Sequence, residues 1–210
     1  AIEVLKKKNP DLKFLVENVK MKQKWKDIIS EKLGVQPIFI NSADFSAQNR
    51  QRLYWTNIPV DEWIPCEDKL QDVLETEEDW YVNRDKAYTM TATYSGACPR
   101  DYFEKSSRQL AFTDREKSHC IDANYFKGGN LKSYFEKHRR QLVFIDKNML
   151  VQWRKLTCLE VERLQTVPDR YTKCGQKENG DIVEISNTQR YKMLGNGFTI
   201  NVIAHIIKNL

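Results

Sequence analysis

Apolar residues switch between two periods over the first sixty positions. Phe14-Leu15-Val16 is a short unbroken apolar run, as carried by a strand covered on both faces, and it gives way at Glu17 and Asn18. Trp25, Ile28, Ile29 and Leu33 then recur at spacings of three and four, one face of a helix, with Gly34 as its stop. Ile38-Phe39-Ile40 and Leu53 to Ile58 return to strand character. The pattern predicts strand, helix, strand, and hence an open α/β sheet. Its ligand crevice is expected where the first strand ends, at Glu17. Ile2, Val4 and Leu5 read as the end of a helix stopped by Asn9-Pro10. With no initiator Met, the chain is expected to begin partway through a domain.

From Pro59 the periodicity breaks at Pro65 and at an acidic run from Glu75 to Asp79, which predicts a second lobe over residues 59–152 between sheet residues 1–58 and returning helices 153–210. That lobe contains a repeat, residues 86–112 and 117–144. Tyr102-Phe103-Glu104-Lys105 recurs 32 positions later as Tyr134-Phe135-Glu136-Lys137, and Arg108-Gln109-Leu110 as Arg140-Gln141-Leu142. Two β-prone copies suggest two strand units of one mainly β lobe. Beyond it, Thr157 and Glu160 have capping-box spacing at a helix start. Thr172 to Val183, with Gly175 and Gly180, reads as a surface loop. Ser186 and Gln189 suggest the cap of a short helix ending at Gly195, and Ile200, Ile203, Ile206, Ile207 and Leu210 mark one face of a last helix that should pack on the sheet.

At 210 residues and 40% hydrophobic content the chain can bury a core, and no apolar run reaches membrane-spanning length. Cys66, Cys98, Cys120, Cys158 and Cys174 show no paired spacing, which suits free thiols in a reducing cytoplasm. His119, His138 and His205 lack partners at ligand spacing, so no metal site is expected. Charge adds more. Between Lys86 and Phe144 there are 11 Lys and Arg against 6 Asp and Glu, so the whole net charge of +5 lies there. Such a segment can face phosphates, through Arg108, Lys127, Lys132 and Arg140, with Gly128 and Gly129 allowing close backbone approach. A solvated basic surface has the same composition.

Glu17 can accept from an exocyclic amine, or donate to a ring nitrogen when protonated, while the forks of Arg50 and Arg52 hold a carbonyl oxygen, so the two strand ends suit a planar polar ring. Glu17-Asn18-Val19 followed by Gln48-x-Arg50-x-Arg52 resembles, in order and distance, signatures of the C5-cytosine DNA methyltransferase family, bacterial and phage members included. Arg154-x-Leu156-Thr157-x-x-Glu160-x-x-Arg163-Leu164-Gln165, Pro168-x-x-Tyr171 and Gly195-Asn196-Gly197-Phe198 resemble its later signatures, in the same order.

That resemblance implies the C-terminal part of a Rossmann-like, S-adenosylmethionine-dependent domain with an inserted target-recognition lobe. The implied reaction is methyl transfer to C5 of a cytosine flipped from double-stranded DNA. It assigns the cytosine edge to Glu17 and Arg52, helped by Arg50, and a cofactor contact to Asn196, Gly197 and Phe198. The implied setting is cytoplasmic and nucleoid-associated DNA modification, as in restriction-modification. The family's Gly-rich cofactor loop and Pro-Cys-Gln nucleophile loop are expected before Ala1, in a missing N-terminal half on the same or a separate polypeptide. Pro65-Cys66-Glu67 lies in the wrong order for the second. A non-catalytic DNA-binding or accessory subunit of the family, and an RNA cytosine methyltransferase of the same fold, are the alternatives.

Overall fold

The computed structural model describes residues 2–75, 80, 82, 84–114 and 151–210. Its first part runs α1 (Ile2–Lys8), β1 (Leu15–Val19), α2 (Gln23–Leu33), β2 (Ile38–Asn41) and β3 (Gln51–Thr56). Strand β3 lies between β1 and β2 and is antiparallel to both, so β1 and β2 run parallel to each other. The carboxyl ends of β1 and β2 and the amino end of β3 therefore share one rim of the sheet.

The register puts Leu15, Glu17, Val19, Ile38, Ile40, Arg52 and Tyr54 on one face, and Val16, Phe39, Leu53 and Trp55 on the other. Helix α6 (Ile200–Ile207) covers the first face, where Val202 and Ile206 pack with Ile40 and Tyr54. Helix α2 covers the second, where the buried Trp55 indole donates from Nε1 to Ser30 Oγ at 2.9 Å. The mixed α/β layering matches the sequence expectation.

Several details differ from it. Glu17 is the middle residue of β1 and not its end, because pairing continues through Asn18 with Leu53 and Val19 with Arg52. β3 likewise starts two residues early, which takes Arg52 into the strand. On α2 the buried residue is Ser30, held by Trp55, while Trp25 is 54% exposed. Gly34 does stop α2, at φ 73° with its N–H on Ser30 O. On α6 the buried stripe is Val202 and Ile206, whereas Ile200, Ile207 and Leu210 are exposed. The expected loop from Thr172 to Val183 contains a hairpin of β6 (Cys174–Gln176) and β7 (Ile182–Glu184).

A second core joins α3 (Pro99–Phe103), β4 (Leu110–Asp114), β5 (Val151–Lys155), α4 (Cys158–Leu164) and α5 (Asn187–Asn196) around Tyr94, Leu110, Leu156, Leu164 and Leu194. Strands β4 and β5 pair antiparallel. Tyr94 is its polar pin: the buried phenol donates to Gln109 O and accepts from Leu156 N, and burial pushes its pKa well up. The core draws on residues either side of Pro59 and Gln152, since Ala47 belongs to it as well. The first repeat copy folds as a 3-10 turn (Tyr94–Gly96), α3 and one strand, β4. Its helical turns hold eight residues and its strand three, where a strand unit was expected. The second copy, 117–144, lies outside the described residues, and with it Lys127, Gly128, Gly129, Lys132 and Arg140.

Helix α4 begins with the expected capping box: Thr157 Oγ1 accepts from Glu160 N, and Glu160 returns to Thr157 N. Glu160 is fully buried, so its carboxylate needs more than a cap. Arg154 supplies a two-pronged pair at 2.7 and 2.8 Å. Two positions on, buried Glu162 accepts from Arg170 N, Thr172 N, the Thr172 hydroxyl and Arg190, tying the hairpin base to α5. Burial alone would raise the Glu162 pKa, but these bonds outweigh it and hold it below the usual 4.5.

The buried carboxylate makes stability depend on pH. A depressed carboxyl pKa contributes stability that is complete above the unfolded value and is lost as pH falls through the folded one. Melting temperature should therefore fall below about pH 4.5, and less steeply in Glu162→Gln. Helix α5 is sensitive in another way, because it approaches the Thr91–Ala92 backbone so closely that a β-carbon on Gly195 would lie 2.3 Å from Thr91 C and 2.4 Å from Ala92 N. Gly195→Ala should cost about 1–3 kcal/mol in urea unfolding.

Candidate active site

The shared rim of the sheet carries the polar residues. Glu17 pairs with Tyr54 across β1 and β3, which makes Arg52 its diagonal neighbour on the same face. The Arg52 Nε to Glu17 Oε1 distance is 2.7 Å, and the two side chains are 14% and 20% exposed. The pair is thus sheltered yet reachable. Among the described residues Arg52 donates otherwise only to Gln51 O, at 2.8 Å, so its fork is not exhausted. Tyr54, beneath the pair, is held neutral: burial, with the Glu17 charge adding, pushes its pKa up to about 12.

Arg50, two residues earlier and just before β3, lies near both charges but is differently employed. It is 5% exposed. Nη1 donates to Met90 O at 3.0 Å and to Gly195 O at 3.4 Å, and Nη2 to Gly197 O at 2.9 Å and Gly195 O at 3.5 Å. Burial, then the neighbouring Arg52 charge, lowers its pKa. Gln48, also buried, donates to Leu164 O and accepts from Met90 N. The alternating Gln48, Arg50 and Arg52 thus divide their work: two bind backbone, and one faces Glu17.

The turn between α5 and α6 sits against this rim. Gln165 Nε2 donates to Leu194 O at 2.7 Å, and its Oε1 accepts from Thr199 Oγ1 at 3.0 Å. The Thr199 hydroxyl is also bonded to Ser42 Oγ at 2.9 Å, just past β2. Thr199 is therefore unable to cap its own helix. The first two amides of α6 bond instead to Gln165 O and Thr166 Oγ1, at 3.0 and 2.9 Å. For this Thr166 adopts φ 53°, a left-handed conformation that costs a β-branched residue about 1–2 kcal/mol. So braced, the turn leaves Asn196 exposed, Gly197 half-buried and the Phe198 ring 45% exposed. An amide, an accessible backbone and an apolar ring are a donor set that fits a nucleoside-bearing cofactor.

Glu17, Arg50, Arg52 and the 196–198 turn are thus brought to one rim. Arg108 is elsewhere: it donates to Asp101 at 2.5 Å, Gly96 O and Thr93 Oγ1, from a left-handed φ of 56°. Cys66 contacts Ala43 O and Lys86 Nζ, Cys98 lies by Asp101, and buried Cys158 faces Asn187 O. None of these bonds reaches Glu17 or Arg52. Gln48 and Gln165 lie within the signature motifs and were findable from them. Ser42, Thr166 and Thr199 had no such signal.

The family model for C-5 cytosine-specific DNA methylase matches residues 1–210. DNA (cytosine-5)-methyltransferase DRM1 of Arabidopsis thaliana is 27% identical over 198 residues, 91% of this chain but 29% of that protein, so the chain spans under a third of this relative. Among solved structures, the Entamoeba histolytica methyltransferase EhMeth aligns with TM-score 0.54 and 13% identity, over 94% of this chain and 61% of that one. A mutant of Spodoptera frugiperda DNMT2 aligns with TM-score 0.53 and 17% identity, over 99% and 69%. These two likenesses show a methyltransferase fold. With the family model matched from end to end, the chain belongs to the C-5 cytosine-specific DNA methylase family.

Proposed function

We propose that the intact protein methylates C5 of cytosine in double-stranded DNA, and that this chain supplies the base-holding edge, the cofactor-facing turn and the target-recognition segment. The observation that carries the reading is the sheltered Glu17–Arg52 pair, 2.7 Å apart, beside a turn braced from three sides. Glu17 holds the exocyclic amine and ring nitrogen of the extruded base, and Arg52 turns its remaining donors to the O2 edge. The ion pair sets both groups in place before the base arrives. S-adenosylmethionine, when bound, supplies the methyl group. Asn196, Gly197 and Phe198 hold it by amide, backbone and ring contacts.

The reaction also needs a nucleophilic thiol, and the sequence contains no Pro-Cys-Gln loop to present one. Pro65-Cys66-Glu67 is no substitute, since Cys66 is bound to the segment after β2. The thiol and the Gly-rich cofactor loop are contributions from outside these residues. Within residues 59–152, the inserted recognition lobe of this reading, the stretch from Lys86 to Phe144 carries the basic excess that anchors phosphates. DNA as substrate implies a nucleoid-associated setting in the cytoplasm, as for a bacterial or phage modification enzyme. Among the described residues no helix is long and apolar enough to cross a membrane.

Tritiated methyl transfer by the intact protein, offered duplex DNA and RNA in parallel, tests the assignment. Label on cytosine C5 of DNA is expected, and label on RNA alone would overturn the substrate. Glu17→Gln keeps the shape and removes the acid, and should lower the rate by about 10²-fold or more. A near-normal rate in a folded variant would remove Glu17 from the chemistry.

The recognition segment gives a separate prediction. Neutralising Lys127, Lys132 and Arg140 together should flatten the salt dependence of DNA binding by about 0.9 units of slope for each phosphate left without its cation. Arg108, tied to Asp101, should behave otherwise. Its replacement by Ala should lower thermal stability, with a smaller change in slope. Equal slopes for the triple variant and the unaltered protein would place DNA elsewhere.

A further inference from the structure

Arg50, just before β3, and Arg52, within it, stand two residues apart, and chemistry separates them. A guanidinium has five N–H donors, four of them on the two terminal nitrogens. In Arg50 both terminal nitrogens are bound to main-chain carbonyls, of Met90, Gly195 and Gly197. Little of the fork is left for a ligand. Gly195 O and Gly197 O belong to the C-terminal end of α5 and the turn beyond it, where helix carbonyls lack partners and the helix dipole favours a cation. Met90 O belongs to the segment that Gln48 also grips, through Met90 N. One planar cation thus joins three pieces of chain at fixed angles.

We infer that Arg50 is a positioning residue: it fixes the Gly195–Gly197 turn against β3, so that the cofactor-facing turn and the base-holding Glu17–Arg52 pair form one rigid unit. The inference rests on the proposed function for what the turn binds, but the clamp itself is independent of it. The geometry of the fork is essential. Lysine places one point charge where three carbonyls converge from different directions, and it cannot hold all of them. Arg50→Lys therefore keeps the charge and loses the angle. The loss falls on the turn, and through it on the cofactor. The Glu17–Arg52 pair has its own cross-strand geometry and persists.

The test uses the intact protein. Binding of S-adenosylhomocysteine by calorimetry and methyl transfer to duplex DNA are first measured on the unaltered protein. Absence of both overturns the functional reading and leaves the clamp to be judged by hydrogen exchange. In Arg50→Lys the KM for S-adenosylmethionine should rise by about tenfold or more, with kcat within about threefold, since one strong hydrogen bond is worth roughly a factor of ten. Arg52→Lys should show the converse, a fall in kcat with little change in that KM. Both constants are measured where both proteins are fully folded, because a partly unfolded variant would also show a raised apparent KM. Amide exchange at Gly197 and Ile200, whose N–H groups bond to Met193 O and Gln165 O, should quicken about tenfold in Arg50→Lys under conditions where both proteins are folded. Where Arg50→Ala folds, millimolar guanidinium should restore part of the cofactor affinity. Exchange at Gly197 and Ile200 as slow as in the unaltered protein would overturn the clamp. A fall in kcat without a rise in KM would place Arg50 with the reacting base and overturn the inference equally.

Discussion

Buried polar groups must be paired, and that constraint shapes this chain more than its apolar cores do. Gln48, Arg50, Glu160, Glu162, Gln165 and Thr199 are all buried. Leaving any one of them unpaired would cost about 1–3 kcal/mol, and more for a charge. Each finds partners, and most of those partners are main-chain groups of distant segments. The partners are therefore fixed by backbone position and not by side-chain choice. Apolar residues in the same places would pack, but they would not specify which carbonyl meets which strand.

The signatures read differently in this light. In the stretch from Arg154 to Gln165, each named residue has a structural duty. Arg154 and Glu160 pair, Thr157 caps, and Leu156 and Leu164 fill the core. Arg163 binds Asp169 and Val73 O, and Gln165 holds the α5–α6 turn. The motif most specific to the family is a brace. Glu17 and Arg52 by contrast pair with each other and stay 20% and 14% exposed, and Asn196 and Phe198 are exposed on the turn.

Local chemistry was legible in the sequence, and long-range pairing was not. The Thr157–Glu160 box, the Ser186 cap and the Gly34 stop involve residues within four positions of each other, so their spacing suffices. Glu17 was expected at a strand end because an apolar run stops there. Its inclusion in β1 is decided by β3, some 35 residues later. Periodicity identified α6 as a helix that packs on the sheet and placed Ile203 and Ile206 on its covered side, but it missed Val202 and added the exposed Ile200, Ile207 and Leu210, because the sheet decides how wide a stripe is covered. Thr166 carries no sign of its left-handed backbone, since the compensating amide comes from Asn201. The Thr172–Val183 hairpin escaped because three-residue strands are too short for alternation to register.

The bonds that brace the rim connect residues far apart in the chain: Gln48 to Leu164 across 116 positions, Arg50 to Gly197 across 147, and Ser42 to Thr199 across 157. Contacts of such separation form only after the intervening chain has closed into a loop, and that closure is slow. The hairpin-like pairing of β2 with β3 and the turns of α2 and α4 can form early from their neighbours. The rim cannot. Each of its braces closes a loop of more than a hundred residues, so the rim exists only where both ends of those loops are in place, and grip on a ligand there reports on the joining of distant parts of the chain.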